Sequence, residues 1–198
     1  MLIKKMFGEI ARLEEYCIQV NKNFRLMFQD EAGFGRINKP KRCWCGDGIR
    51  PSVPCHRVRE YMYAYGAVSP LDGDMVSLVL PKFNTYCMNI FLDAVSKQYP
   101  NDYILMVADN APWHKSNGLV IPENMEIFPL LPYTPELNPI EMIWDEIREK
   151  FFKNKLFKTL SAVSDKLCEA IVHLLDNKNI VKSITGWGWI ISALSKPN

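Results

Sequence analysis

Tyr103-Ile104-Leu105-Met106-Val107-Ala108 form an unbroken, mostly apolar run that ends directly on a carboxylate, Asp109. A run without alternation is what a strand covered on both faces requires, because both of its side-chain rows meet apolar neighbours. Such strands belong to sheets flanked by helices. In those sheets, ligands gather in the crevice outside the carboxyl ends of the strands. Asp109 occupies such an end.

Working outward, Phe24-Arg25-Leu26-Met27-Phe28-Gln29-Asp30 places Phe24, Leu26 and Phe28 on one face with Arg25 and Gln29 on the other, which predicts a strand. Asp30 continues its apolar face and Glu31 does not. Residues 61–68 and 74–80 are further strand candidates, with Pro70 to Gly73 as the turn between them. Residues 33–56, rich in Gly, Pro and basic side chains around Cys43-Trp44-Cys45, read as a hairpin or long loop. Helices are expected over 3–17 and 84–98, the second ending before Pro100. Asn110-Ala111-Pro112 opens a short helix after Asp109, and Glu126–Leu131 is another strand. Asn138 is expected to cap a helix that starts on Pro139 and carries the apolar stripe Ile140, Ile143, Trp144, Ile147 and Phe151. Glu141 lies beside that stripe, in line with Asp145 and Arg148. The last helix spans 160–176, with Val163, Leu167, Ile171 and Leu174 inward. Strands in succession, then strands alternating with helices, then terminal helices give an α/β fold with a mixed sheet flanked by helices.

With 198 residues, 48% of them hydrophobic and 23% charged, the chain fits one globular domain. No apolar run approaches the ~20 residues of a membrane span, and the N-terminus lacks the apolar core of a signal peptide. A cytoplasmic protein is expected. The net charge of +2 is unevenly spread: +6 between Arg36 and Arg59, +4 between Arg148 and Lys158, and about −8 over the rest. Two basic patches on an otherwise acidic chain fit a polyanion partner as well as they fit two solvated surfaces. Cys43, Cys45, Cys55 and His56 cluster, but as C-x-C and C-H, not as the paired C-x-x-C of zinc sites. Small buried thiols are favoured over a metal site there.

Asp30 and Asp109 end two strands, and Glu141 stands in the first turn of a helix. If the strands are neighbours, the two aspartates lie ~5 Å apart laterally. Carboxylates so close repel unless one is protonated or a cation sits between them. Hard oxygen ligands suit Mg²⁺ or Mn²⁺. Each acid also has a structural reading: Asp30 in a turn, Asp109 as a helix cap, Glu141 on a helix dipole.

The words around these acids carry further. Asp109-Asn110-Ala111-Pro112-Trp113-His114-Lys115-Ser116 resembles a segment of mariner-like transposases and their bacterial insertion-sequence relatives. Leu131-Pro132-Tyr133-Thr134-Pro135-Glu136-Leu137-Asn138-Pro139-Ile140-Glu141-Met142-Ile143-Trp144 resembles a second such segment, and Phe28-Gln29-Asp30-Glu31 a third. The resemblance covers roughly residues 24–190. It implies a ribonuclease-H-like fold in which Asp30, Asp109 and Glu141 are catalytic and hold two Mg²⁺ ions, with Mn²⁺ as substitute. It implies DNA cleavage at transposon ends, then strand transfer into target DNA at a TA step, by a homodimer assembled on DNA and associated with the nucleoid. Asn110 and His114 would lie beside the site. The basic stretch, with Lys39, Lys41, Arg42, Arg50, Arg57 and Arg59, would contact the DNA backbone. Trp44 and Trp113 are expected to pack in the core in preference to stacking on bases. Relatives carry helix-turn-helix modules ahead of the catalytic domain. Residues 1–22 are therefore expected to be a helical lead-in, the remnant of a linker to a missing module, and residues 23–198 the catalytic domain. The alternative is a truncated or repurposed DNA-binding fragment without catalysis.

Overall fold

The computed structural model describes residues 2–37, 41–52, 57–111, 116–131 and 134–194. Five strands form one sheet: β1 (Asn23–Gly35), β2 (Tyr61–Val68), β3 (Met75–Leu80), β4 (Asp102–Ala108) and β5 (Met125–Pro129). Their order is β3-β2-β1-β4-β5. The first three are antiparallel neighbours, while β4 and β5 run parallel to β1. The sheet is mixed, as expected, and β1 is its central strand.

Alternation along the strands divides the apolar residues between two layers. Leu26, Phe28, Ala64, Val68, Leu105 and Val107 face one core; Met27, Tyr65, Ala67, Ile104 and Met106 face the other. The second core is closed by α2 (Thr85–Gln98), which Asn84 caps by accepting the Cys87 amide at 2.8 Å. The first is closed by α1 (Leu2–Gln19), α3 (Ile140–Ile147), α4 (Leu160–Asp176), α5 (Lys178–Thr185) and α6 (Gly188–Leu194). Helix α1 buries Met6, Ile10, Leu13 and Cys17 as its spacing predicts, and belongs to the same core as the sheet. Among the described residues, no helix is long and apolar enough to cross a membrane.

Four local expectations are corrected. Strand β1 runs five residues past Asp30, to Gly35. The helical stripe does not reach Phe151 in α-helical geometry, because α3 ends at Ile147 and a π turn covers Arg148–Phe152. The chain does not end its helices at 176: α5 and α6 follow, seating Val181 and Ile190 in the core. Asn138 does not cap α3 with its side chain. Its Nδ2 instead donates to the Gln29 carbonyl at 3.0 Å, pinning the start of α3 to β1.

Candidate functional site

The parallel pairing of β1 with β4 matches Asn23 to Asp102 and Phe28 to Val107, a constant offset of 79. Extended two residues beyond its last pair, that register carries β1 to Asp30 and the chain leaving β4 to Asp109, so the two aspartates belong to neighbouring parallel strands. Phe28 and Val107 both face the core under α3, and strand alternation turns Asp30 to that same side, while Asp109 stands one residue past the end of β4.

Asp30 is 9% exposed, and the indole Nε1 of fully buried Trp144 donates to its Oδ2 at 2.9 Å. The opposite neighbour of Asp30 across the sheet is Gly66. A Cβ there would stand 2.6 Å from the Trp144 ring and 2.9 Å from Ile140. The absent side chain is what lets Trp144 lie on the sheet and reach the carboxylate. Burial first, then the charges of Glu141 and Glu31, push the Asp30 carboxyl up to about 8, against the opposing pull of the Trp144 and Glu31 hydrogen bonds.

Asp109 is exposed just past β4, and its Oδ1 accepts the Ala111 amide at 2.9 Å. The turn-forming role and a place beside Asp30 therefore coexist in one residue. Glu141 is half-buried in the first turn of α3. Burial raises its carboxyl; Arg148 lowers it, and Asp145 and Asp109 raise it again, with a net upward shift. Glu141 is thus electrostatically coupled to both aspartates, and the fold brings the three acids to one region. Among the described residues, no three His, Cys, Asp or Glu side chains stand close enough together to hold an ion as they are. The donor set is nonetheless all hard carboxylate oxygen, and an acid driven toward protonation by burial and then by its neighbours is an environment that a divalent cation relieves.

Asn110 is half-buried beside the site, where its Nδ2 donates to the Leu130 carbonyl at 2.5 Å, tying the end of β4 to the end of β5. His114, Trp113 and Lys39 lie outside the described residues, as do Cys55 and His56 of the cysteine cluster. Lys41, Arg42, Arg50, Arg57 and Arg59 are all exposed. Lys41 is also anchored: its ammonium pairs with Glu149 at 3.0 Å, and its backbone exchanges two hydrogen bonds with the Asn154 amide. Two expectations fail here. Trp44 is fully exposed rather than packed in the core, and Cys43 and Cys45 are exposed rather than buried. They sit on a loop from 41 to 52 in which every residue is exposed, so there is no core for them to enter.

Three contributors escaped the sequence reading. Trp144 reads as stripe, and only the sheet places its indole N–H on Asp30. Gly66 carries no signal without the cross-strand register. Gln29 is fully buried, and among the described residues neither end of its amide has a partner; alternation shows the side it faces but not its isolation.

A family model described as "DDE superfamily endonuclease" matches residues 25–164. An uncharacterized protein, y4pE/y4sA, from Sinorhizobium fredii (strain NBRC 101917 / NGR234) is 31% identical over 125 residues, which are 63% of this chain and 93% of that protein. Among solved structures, the Mos1 mariner paired-end complex with Mn superposes with a TM-score of 0.58 at 16% identity, covering 97% of this chain and 62% of that one. The Mos1 transposase paired-end complex with left transposon end gives 0.55 at 15% identity, over 93% and 62%. At such identities the likeness is one of fold, and it makes the sheet ribonuclease-H-like. The chain spans about three fifths of the length of these Mos1 chains.

Proposed function

This chain belongs to the DDE superfamily endonuclease family, and on that premise we propose that it is the catalytic part of a transposase, cutting DNA at transposon ends and joining it to target DNA. Asp30, Asp109 and Glu141 are the acids of the reaction and the ligands of two Mg²⁺ ions, for which Mn²⁺ substitutes. The observation that carries this reading is the place of Asp30 and Asp109 on neighbouring parallel strands, with Glu141 coupled to both.

Such ions, when bound, activate the attacking oxygen and stabilise the leaving oxygen of a phosphodiester. The chain's own residues do the positioning. Trp144 fixes one oxygen of Asp30, the Ala111 amide fixes one oxygen of Asp109, and the first turn of α3 carries Glu141. Arg148 tempers the negative charge around Glu141. Asn110 braces the site, and a supporting role at it is assigned to His114 by the resemblance of its segment. The substrates are inverted-repeat ends and a target, at a TA step, held by Lys39, Lys41, Arg42, Arg50, Arg57 and Arg59 in a homodimer on DNA, in the cytoplasm at the nucleoid. Residues 1–22 serve as the helical lead-in and 23–198 as the catalytic domain. The Mos1 structures support DNA and divalent metal as partners, being complexes with a transposon end and with Mn.

One observation favours a second reading, a DNA-binding fragment without catalysis: no three of the described metal-ligating side chains are gathered tightly enough for an ion. Nicking of supercoiled plasmid in Mg²⁺ or Mn²⁺ separates the two. The catalytic reading expects metal-dependent nicking by the wild type and its loss in Asp109→Asn and Glu141→Gln. Nicking that persists in both variants removes these acids from the mechanism. DNA binding without nicking by any of the three proteins favours the fragment.

A further inference from the structure

Beyond the acids, where β1 runs on to Gly35, a cavity of about 440 Å³ opens between the end of that strand, the start of β2 and the π turn. Its walls are rings. Phe34 stands 5.0 Å from Phe152, and Phe152 stands 5.2 Å from Phe157. Tyr61, 37% exposed, lies across bare backbone: a Cβ on Gly35 would meet its ring at 2.5 Å. The rim is cationic. Lys41, Arg148, Lys153 and Lys155 line the cavity, and among the described residues no acid does. Glu149 partners Lys41 and Lys153 from outside it, and Asp145 lies 3.5 Å from Arg148.

The part-exposed Tyr61 ring offers a face to a flat base, and a cationic rim takes the phosphates on either side of it; together they describe one unpaired nucleotide. A duplex fits poorly, because its bases are already stacked on each other. We propose that this cavity holds an unpaired base of the DNA strand running through the site, with Tyr61 as the stacking face and Lys155 and Lys153 on the flanking phosphates. The proposal rests on the DNA-cleaving reading above. Phe34 lies four residues beyond Asp30 on β1, ~13 Å at ~3.3 Å per residue. Arg148 lies seven residues beyond Glu141, ~10 Å at ~1.5 Å per residue. At the ~3.4 Å rise of a duplex these distances span at most about three to four nucleotides, and a more extended unpaired strand covers them in fewer.

The test is equilibrium binding in Ca²⁺ to two hairpin duplexes, one blunt and one ending in a four-nucleotide unpaired tail that carries 2-aminopurine. The tailed duplex is expected to bind roughly tenfold more tightly, with the 2-aminopurine emission quenched. Tyr61→Ala is expected to abolish both effects while its blunt-duplex affinity stays at the wild-type value. Lys155→Glu, at an exposed position that leaves the fold intact, lowers the preference for the tail. Equal affinity for both duplexes in the wild type overturns the cavity's role and leaves the DNA-cleaving reading standing. A preference that survives Tyr61→Ala but disappears in Trp44→Ala assigns the stacking to the exposed loop and overturns it as well. If neither duplex binds, both readings fall together.

Discussion

Asp30 concentrates the electrostatic tension of this molecule. Its carboxyl is pushed up to about 8, by burial first and then by Glu141 and Glu31, whereas in an unfolded chain it titrates near ~3.9. Between those values the folded protein keeps a proton that the unfolded chain has released, so stability falls as pH rises from about 4 to about 8 and levels off above. In chelator, urea unfolding at pH 5, 7 and 8.5 is expected to show this loss for the wild type, amounting to a few kcal/mol at most, with ~1.4 kcal/mol per unit as the limiting slope. Asp30→Asn should flatten it; an unchanged pH slope in that variant sinks the assignment. A divalent cation should restore the wild type more at pH 8.5 than at pH 5. Trp144→Phe deletes the donor to Asp30 Oδ2 and also the outer indole carbons that stand over Gly66. The expected cost is about 1–2 kcal/mol of stability for the hydrogen bond with a further loss for the cavity, together with a weaker apparent affinity for Mg²⁺ in thermal-shift titration. An unaltered Mg²⁺ midpoint would mean that the indole does not position the carboxylate.

At the scale of the element, the site depends on how α3 meets β1. Two contacts fix it: the Asn138 amide on the Gln29 carbonyl, and the Trp144–Ile140 pair seated over Gly66. Gly66→Ala forces a methyl to 2.6 Å from an indole that cannot retreat from a filled core. Overpacking of this kind costs about 1–3 kcal/mol, and nicking should drop with it, because α3 carries Glu141. Wild-type stability by denaturant melt in Gly66→Ala would refute that coupling. Asn138→Ala leaves the Gln29 carbonyl without its donor, and a loss of about 1–2 kcal/mol is expected by the same measurement. These contacts mark the boundary of what the sequence makes legible. The buried run 103–108, the alternation of 24–30 and the stripe from Ile140 to Ile147 each obey a single period, so β4, β1 and α3 could be read from them. Asp109 and Glu141 could be read too, since each adjoins a periodic segment. The role of Gly66 could not, because it depends on a cross-strand register that no local period encodes. The side chain of Asn138 followed tertiary bonding in place of its capping preference. Trp44 was misjudged because a large aromatic ring in an irregular loop has no periodicity to say whether a core lies beneath it.

At the scale of the molecule, charge and connectivity decide behaviour. Lys41, Arg42, Arg50, Arg57 and Arg59 are exposed, and the DNA contact proposed for them would run through the phosphate field. Arg57→Ala with Arg59→Ala should weaken binding about equally for every DNA sequence and flatten the dependence of log Kd on log salt by about two units. A salt slope identical to wild type would take this surface off the DNA. The same segment leaves β1 at Gly35 and returns to β2 at Tyr61, its cross-strand partner, and the Arg36 amide donates to the Glu60 carbonyl at 3.0 Å. Its two ends are therefore stapled together whatever happens between them. Doubling the length of a flexible loop costs only about 0.6 kcal/mol, and the 79-residue offset of β1 against β4 could grow without moving Asp30 from its place opposite Gly66. The excursion between the first two strands is thus a socket: a reporter, an affinity handle or an entire foreign module can be spliced in there while the three acids keep their places.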